Sequence, residues 1–213
     1  MSLTRRSLSI ALAASAFAPS ALAQNAALSA DDKALVDRAV AYLQGMTEAK
    51  GRFVQTDARG RNSQGSIYLK RPGKARFAYD PPSGLTVVSD GAAVLVKDDR
   101  LKTFDRYPLA STPLSLFLAK QIRLDRGVSV TRLARHADGF TITARDGTKK
   151  TAGQISLTFT NAPMQLTGWA VVDAQGRQTR VKLVGLERAS GLDAGLFTMK
   201  NPFRQTQKGP GRV

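Results

Sequence analysis

The sequence predicts a mainly β protein: one antiparallel sheet, strongly curved or closed, whose concave side a helix covers. Three observations predict it. Between residues 52 and 187, short β-prone runs alternate with turn signals at regular spacing. One short helical pattern interrupts that series, so the strand–helix alternation of a doubly wound parallel fold is missing. Ahead of the series stands an amphipathic helix whose apolar stripe needs a sheet to lie on.

The elements follow in chain order. A helix is expected over residues 29–44, with Ser29 and Asp32 resembling a capping box and Gly45 as its stop. Leu35, Ala39 and Leu43, flanked by Val36 and Val40, form its stripe. Strands are expected over 52–56, 66–71 and 74–79, separated by a polar loop over 57–64 and by the turn Pro72-Gly73. Asp80-Pro81-Pro82-Ser83-Gly84 breaks the third. Strands over 85–89 and 92–97 flank Asp90-Gly91, a two-residue hairpin signal, and Asp98-Asp99 leads into a strand over 101–107. Next comes the helical interruption, capped by Thr112 with Pro113 at its first position. Its residues Leu114, Leu116, Phe117 and Leu118 are apolar nearly all round and must face something greasy. Strands resume over 128–135, 140–145, 154–160, 165–173 and 177–187, which brings the total to about eleven. A shift of one residue in register reverses strand alternation, so the sequence leaves open which face of each strand turns inward.

Residues 1–23 read as a bacterial secretory signal peptide. Arg5 and Arg6 form the basic region, residues 8–18 the apolar region, and Ala21-Leu22-Ala23 the small-residue cleavage site. Thr4-Arg5-Arg6-Ser7-Leu8 also brushes the twin-arginine export pattern, leaving the export route open. One domain is expected over 24–205, and a basic tail over 206–213. The net charge of +16 falls to +14 with the loss of the two leader arginines. Such an excess points to an anionic partner, and export favours a membrane surface over nucleic acid.

Composition excludes much chemistry. There is no Cys and one His, which removes disulfides, thiolate metal sites, a cysteine nucleophile and any multi-histidine metal centre. His136, between Arg135 and Asp138 before a turn, reads as a solvated loop-end residue. Asp80, Asp90, Asp98, Asp99, Asp138, Asp146 and Asp173 sit at turns, where turn chemistry accounts for them. No nucleophile elbow, phosphate loop or dinucleotide pattern is present. The expectation is a binding protein without metal, cofactor or catalytic residues. An envelope hydrolase is a weak rival.

One series of landmarks is more specific. Gly65-Ser66-Ile67-Tyr68-Leu69-Lys70-Arg71-Pro72 is followed by Phe77-Ala78-Tyr79, by Val88-Ser89-Asp90-Gly91, and by the Thr112-Pro113 that opens the apolar helix. Phe53-Val54-Gln55 precedes them, and Leu192-Asp193-Ala194-Gly195-Leu196-Phe197 closes the series. In order and spacing, from about Ser29 to Phe203, this resembles the outer-membrane lipoprotein carrier (LolA) family. It departs from the family in the strand after Asp90-Gly91, which reads Val94-Leu95-Val96-Lys97 where many relatives carry aromatics.

The resemblance implies an unclosed eleven-stranded β-barrel with a helical lid over a hydrophobic cavity. It implies a periplasmic protein, expected to be a monomer, that carries acylated lipoproteins from an inner-membrane ABC transporter toward an outer-membrane receptor. It also assigns Arg71 as a latch bonding to lid backbone. Phe53, Tyr68, Phe77, Tyr79, Leu114, Leu116, Phe117 and Leu118 are the expected cavity lining. The rival of another class is a lipid- or lipoprotein-sensing module on the same fold.

Overall fold

The computed structural model describes residues 28–112, 114–122, 128–146 and 153–203. The leader, the basic tail and Pro113 lie outside the described residues, as does the side chain of Leu116. Helix α1 (Ala30–Gln44) begins at Ser29, whose Oγ accepts the Asp32 N–H at 3.1 Å. The reciprocal half of a capping box is absent, because the Asp32 carboxylate turns to Arg135 Nη2 at 2.7 Å. Gly45 ends the helix in right-handed geometry, its N–H bonding back to Ala41.

Eleven strands follow: β1 (Glu48–Thr56), β2 (Asn62–Lys70), β3 (Lys74–Tyr79), β4 (Leu85–Asp90), β5 (Ala93–Asp98), β6 (Thr103–Pro108), β7 (Val128–Arg135), β8 (Gly139–Asp146), β9 (Gln154–Asn161), β10 (Met164–Val172) and β11 (Gln178–Arg188). They form a single sheet in the order β6-β5-β4-β3-β2-β1-β11-β10-β9-β8-β7, antiparallel throughout. The predicted class holds, and the sheet is unclosed, with β6 and β7 as its free edges.

That order dictates where the second helix must go. Hairpins can join neighbouring strands, but the chain leaving β6 must reach β7 at the far edge. The crossover carries a 3-10 turn (Leu109–Ser111) and helix α2 (Leu114–Leu118). Residues from both halves of the sheet meet in one apolar cluster with the two helices. Ile67, Phe77 and Val94 come from one side and Phe140, Ile155 and Leu157 from the other; Leu35, Val36, Ala39, Leu43, Phe117 and Leu118 come from α1 and α2. The sheet therefore curls around a core that the helices cap.

Three bulges break strict alternation among the described residues. One lies on β11 opposite Lys50 and Arg52, where Gly185 has φ +63°. A Cβ on Gly51 would stand 2.8 Å from the Gly185 carbonyl oxygen, so close strand approach selects glycine there. The others lie on β10 between Leu166 and Gly168 and on β7 between Val130 and Arg132.

On the convex side the segment 189–203 crosses the early strands. Glu48 anchors it through Lys70 Nζ at 2.9 Å and the Leu192 N–H at 2.8 Å, while Arg76 donates to the Leu196 carbonyl at 3.1 Å. Phe197 is buried there, where the turn at Ala194–Phe197 lies against β3 and β4; Val88 and Leu95 are likewise buried outside the main cluster. Among the described residues, no helix is long and apolar enough to cross a membrane.

Candidate functional site

The concave face is lined with rings. Phe53 is fully buried, and Phe77 and Tyr79 meet it edge-on at 5.6 Å and 5.0 Å. Their approach depends on Gly65, which pairs with Phe53 on one side and Tyr79 on the other. A Cβ on Gly65 would stand 2.1 Å from the Ala78 carbonyl oxygen. Tyr79 Oη donates to Gln55 Oε1 at 2.7 Å, and burial pushes its phenol up to about 12. Phe140 and Phe159 stack at 5.4 Å further round the sheet, with Tyr42 of α1 edge-on to Phe159 at 6.2 Å.

The helices close over these rings. Phe117 stacks on Trp169 at 5.9 Å and 26°, and Trp169 meets Phe77 at 5.9 Å and 74°. Leu118 is buried and Leu114 is half-buried against the same cluster. Of the expected lining, Phe53, Phe77, Tyr79, Leu114, Phe117 and Leu118 come together here.

Tyr68 does not. Gly65, Ile67 and Leu69 point inward, and period-two alternation sends Tyr68 to the convex face, paired between Lys50 and Arg76. Trp169 takes its place at the centre. The bulge before Gly168 shifts the phase of β10 so that Leu166 and Trp169, three apart, both face inward. A strict alternation of two hides that from the sequence; the lone Trp was the available signal.

The latch corner is polar. Arg71 follows β2, fixed by its N–H to the Thr47 carbonyl at 2.7 Å. Its Nη1 donates to the carbonyl of Leu43 near the end of α1, and its Nη2 donates to the Ala119 carbonyl just past α2 at 2.7 Å. Gly73 N–H donates to the Leu118 carbonyl at 2.8 Å, in parallel with that tie.

Among the described residues no carboxylate pairs with Arg71, and its buried Nε has no hydrogen-bond partner. Burial pulls the guanidinium below its ordinary pKa. A half-buried cation held only by carbonyl oxygens makes a weak fastening, since it forgoes water without gaining a counter-charge.

Nothing in this arrangement supplies acid–base or nucleophilic chemistry. His136 is exposed at the β7–β8 turn, its Nε2 2.8 Å from Thr141 Oγ1. Among the described residues no group of three or more His, Cys, Asp or Glu could hold a metal ion.

Comparisons with known proteins agree with the resemblance read from the landmarks. The family described as outer membrane lipoprotein carrier protein LolA matches residues 44–200. The outer-membrane lipoprotein carrier protein of Chromohalobacter salexigens is 27% identical over 176 residues, spanning 78% of this chain and 82% of the relative. That of Pseudomonas aeruginosa is 26% identical over 196 residues, spanning 85% and 91%. Among solved structures, a LolA superfamily protein from Nitrosomonas europaea superposes with a TM-score of 0.41 at 9% identity, covering 76% of this chain and 97% of that one. On the family match, which spans all eleven strands together with Arg71 and Ala119, the chain belongs to the outer-membrane lipoprotein carrier (LolA) family.

Proposed function

We propose that this protein is a periplasmic carrier that shelters the acyl chains of lipoproteins between the inner and the outer membrane. The observation that carries the reading is the latch: an apolar, ring-lined interior closed by helices that Arg71 ties down through two backbone carbonyls. Family membership supports it.

The magnitudes favour opening by cargo. An acyl chain of about sixteen carbons needs roughly 12 kcal/mol of shelter, at ~0.8 kcal/mol per buried CH₂. Each Arg71 bond contributes about 1–3 kcal/mol, before the cost of desolvating the charge. Entering chains can therefore displace the latch and take over the surface that α1 and α2 cover in the empty protein. Release reverses this, and the latch then helps expel cargo by favouring the closed form. Binding and release need no catalytic group.

The partners on this reading are acylated lipoproteins, an inner-membrane lipoprotein-releasing ABC transporter and an outer-membrane receptor. Exposed Lys50, Arg180 and Lys182 on the convex face suit approach to anionic surfaces, an attraction that salt weakens.

The test is to recover the protein from the periplasm of its native host under mild extraction and identify what accompanies it by mass spectrometry. Acylated lipoprotein is expected on the wild type and in larger amount on Arg71→Leu, whose closed form is weakened. No acylated protein on either form would overturn the carrier reading.

A further inference from the structure

We propose that Gln44 is a second fastening of a different kind, one that joins α1 to the segment leaving α2 so that the two helices move as a single lid. The inference rests on the reading of these helices as a lid.

Gln44 is the last residue of α1. Its Nε2 donates to the Lys120 carbonyl at 2.9 Å, and its Oε1 accepts the Ile122 N–H at 3.1 Å. One side-chain amide thus binds the carbonyl of one residue and the N–H of the residue two further on. A residue of a neighbouring parallel strand uses the same pattern through its own N–H and C=O. Ile122 is 5% exposed, so its N–H would lack a solvent partner if the amide were removed.

The polar ties of the segment after α2 divide into two sets. Toward the barrel, Gly73 N–H binds the Leu118 carbonyl and Arg71 binds the Ala119 carbonyl. Toward α1, Gln44 takes the Lys120 carbonyl and the Ile122 N–H. Arg71 also holds the Leu43 carbonyl, so it ties both helices to the end of β2. Loss of the Arg71 and Gly73 ties alone therefore releases both helices from the end of β2 while leaving them joined to each other; α1 stays hinged to the sheet through Asp32 on Arg135 and the Gly45 carbonyl on Arg188. A lid of one piece exposes the interior in a single motion. Two independent flaps would expose it in halves.

Two backbone amides report the two sets separately, because Gly73 N–H reads the tie to the barrel and Ile122 N–H reads the clamp. Hydrogen exchange on the cargo-free protein is the measurement. Gln44→Met keeps the side-chain length without the amide. It should raise Ile122 exchange about tenfold or more while Gly73 stays protected. Gln44→Glu retains an acceptor for Ile122 and should restore part of its protection, which a purely space-filling role would not predict. Arg71→Leu should release Gly73 and leave Ile122 protected.

If Gln44→Met leaves Ile122 protected, or Arg71→Leu releases Ile122 as fully as Gln44→Met does, the single-lid assignment is wrong. Adding a triacylated lipopeptide to the wild type should release Gly73 alone. Release of both amides would also overturn the proposal. No change at either amide would count against the carrier reading, while the clamp measured on the empty protein would stand.

Discussion

Replacing Phe117 with Ala separates a lid from an ordinary piece of core. Phe117 is 3% exposed and stacked on Trp169, and truncation of such a ring costs about 3–5 kcal/mol. Helix α2 has five residues, too few to persist without tertiary contacts, so the loss falls first on the closed position of α2. A loss of about 3 kcal/mol raises the open population more than a hundredfold, since each 1.4 kcal/mol is roughly tenfold. The strand ladders do not depend on Phe117, so the fall in global stability is capped at the free energy of lid closure. Trp169 is the sole tryptophan, and it lies directly under the substituted ring. Acrylamide quenching of its fluorescence should rise strongly, with loss of its near-ultraviolet dichroism and a modest drop in melting temperature. Unchanged quenching together with the full 3–5 kcal/mol loss of global stability would refute the reasoning, because α2 would then be a fixed part of the core.

Gly65→Ala forces a Cβ toward the Ala78 carbonyl and should cost about 2 kcal/mol or more in chemical denaturation, as the β2–β3 pair is pushed apart; a neutral variant would mean the strands part without penalty. Tyr79 binds its phenolic proton more tightly when folded, with a pKa of about 12 against 10.0 unfolded. Its contribution is therefore complete below pH 10 and is lost as the pH rises toward 12, so the alkaline stability slope should shrink in Tyr79→Phe. Asp32 and Glu48 shift the other way: Arg135 lowers the first, and the Leu192 N–H followed by Lys70 lowers the second. Their contributions are present above the ordinary carboxylate pKa and fade as pH falls through the lowered values. Thermal stability should drop below about pH 4, and Glu48→Gln should flatten part of that drop; an unaltered acid slope in the variant would show that Glu48 does not hold the 189–203 segment.

The sheet was legible because each hairpin announces itself locally. The strand 74–79 agrees with β3 at both ends, and 128–135 agrees with β7. Strands β1 and β2 run four residues further than the sequence suggested, at Glu48 and at Asn62. Gly51 and Gly65 look like strand breakers, but they are sites of close strand approach that only a paired backbone reveals. The chain at 101–102 went the other way: Lys102 adopts φ +55° in the turn, so β6 starts at Thr103. Side-chain direction was less legible than strand position. The aromatic ring of Tyr68 suggests cavity lining, but the alternation that Ile67 and Leu69 impose turns it outward, and the β10 bulge conceals Trp169. Gln44 carried no signal at all, since its partners lie 76 and 78 residues away and are backbone groups that any sequence possesses.

Those errors share a cause that bears on the mechanism. Hairpin turns are local, but the lid is built from contacts between α1, the β2 end and the crossover, elements that are neighbours only because β6 and β7 stand at opposite edges. A closed barrel would join those edges, remove the crossover and leave nothing to lift. The open seam thus creates the lid, and the lid's fastenings must be polar and few. Apolar packing alone would leave closure to the same interactions that hold cargo, with no independent means of tuning release. On the proposed function Arg71 provides that means through bonds to carbonyls that an acyl chain cannot imitate, so cargo would displace the latch without replacing it. On that reading the closed state therefore keeps an advantage that is independent of what the interior holds, and that desolvation of the guanidinium keeps small.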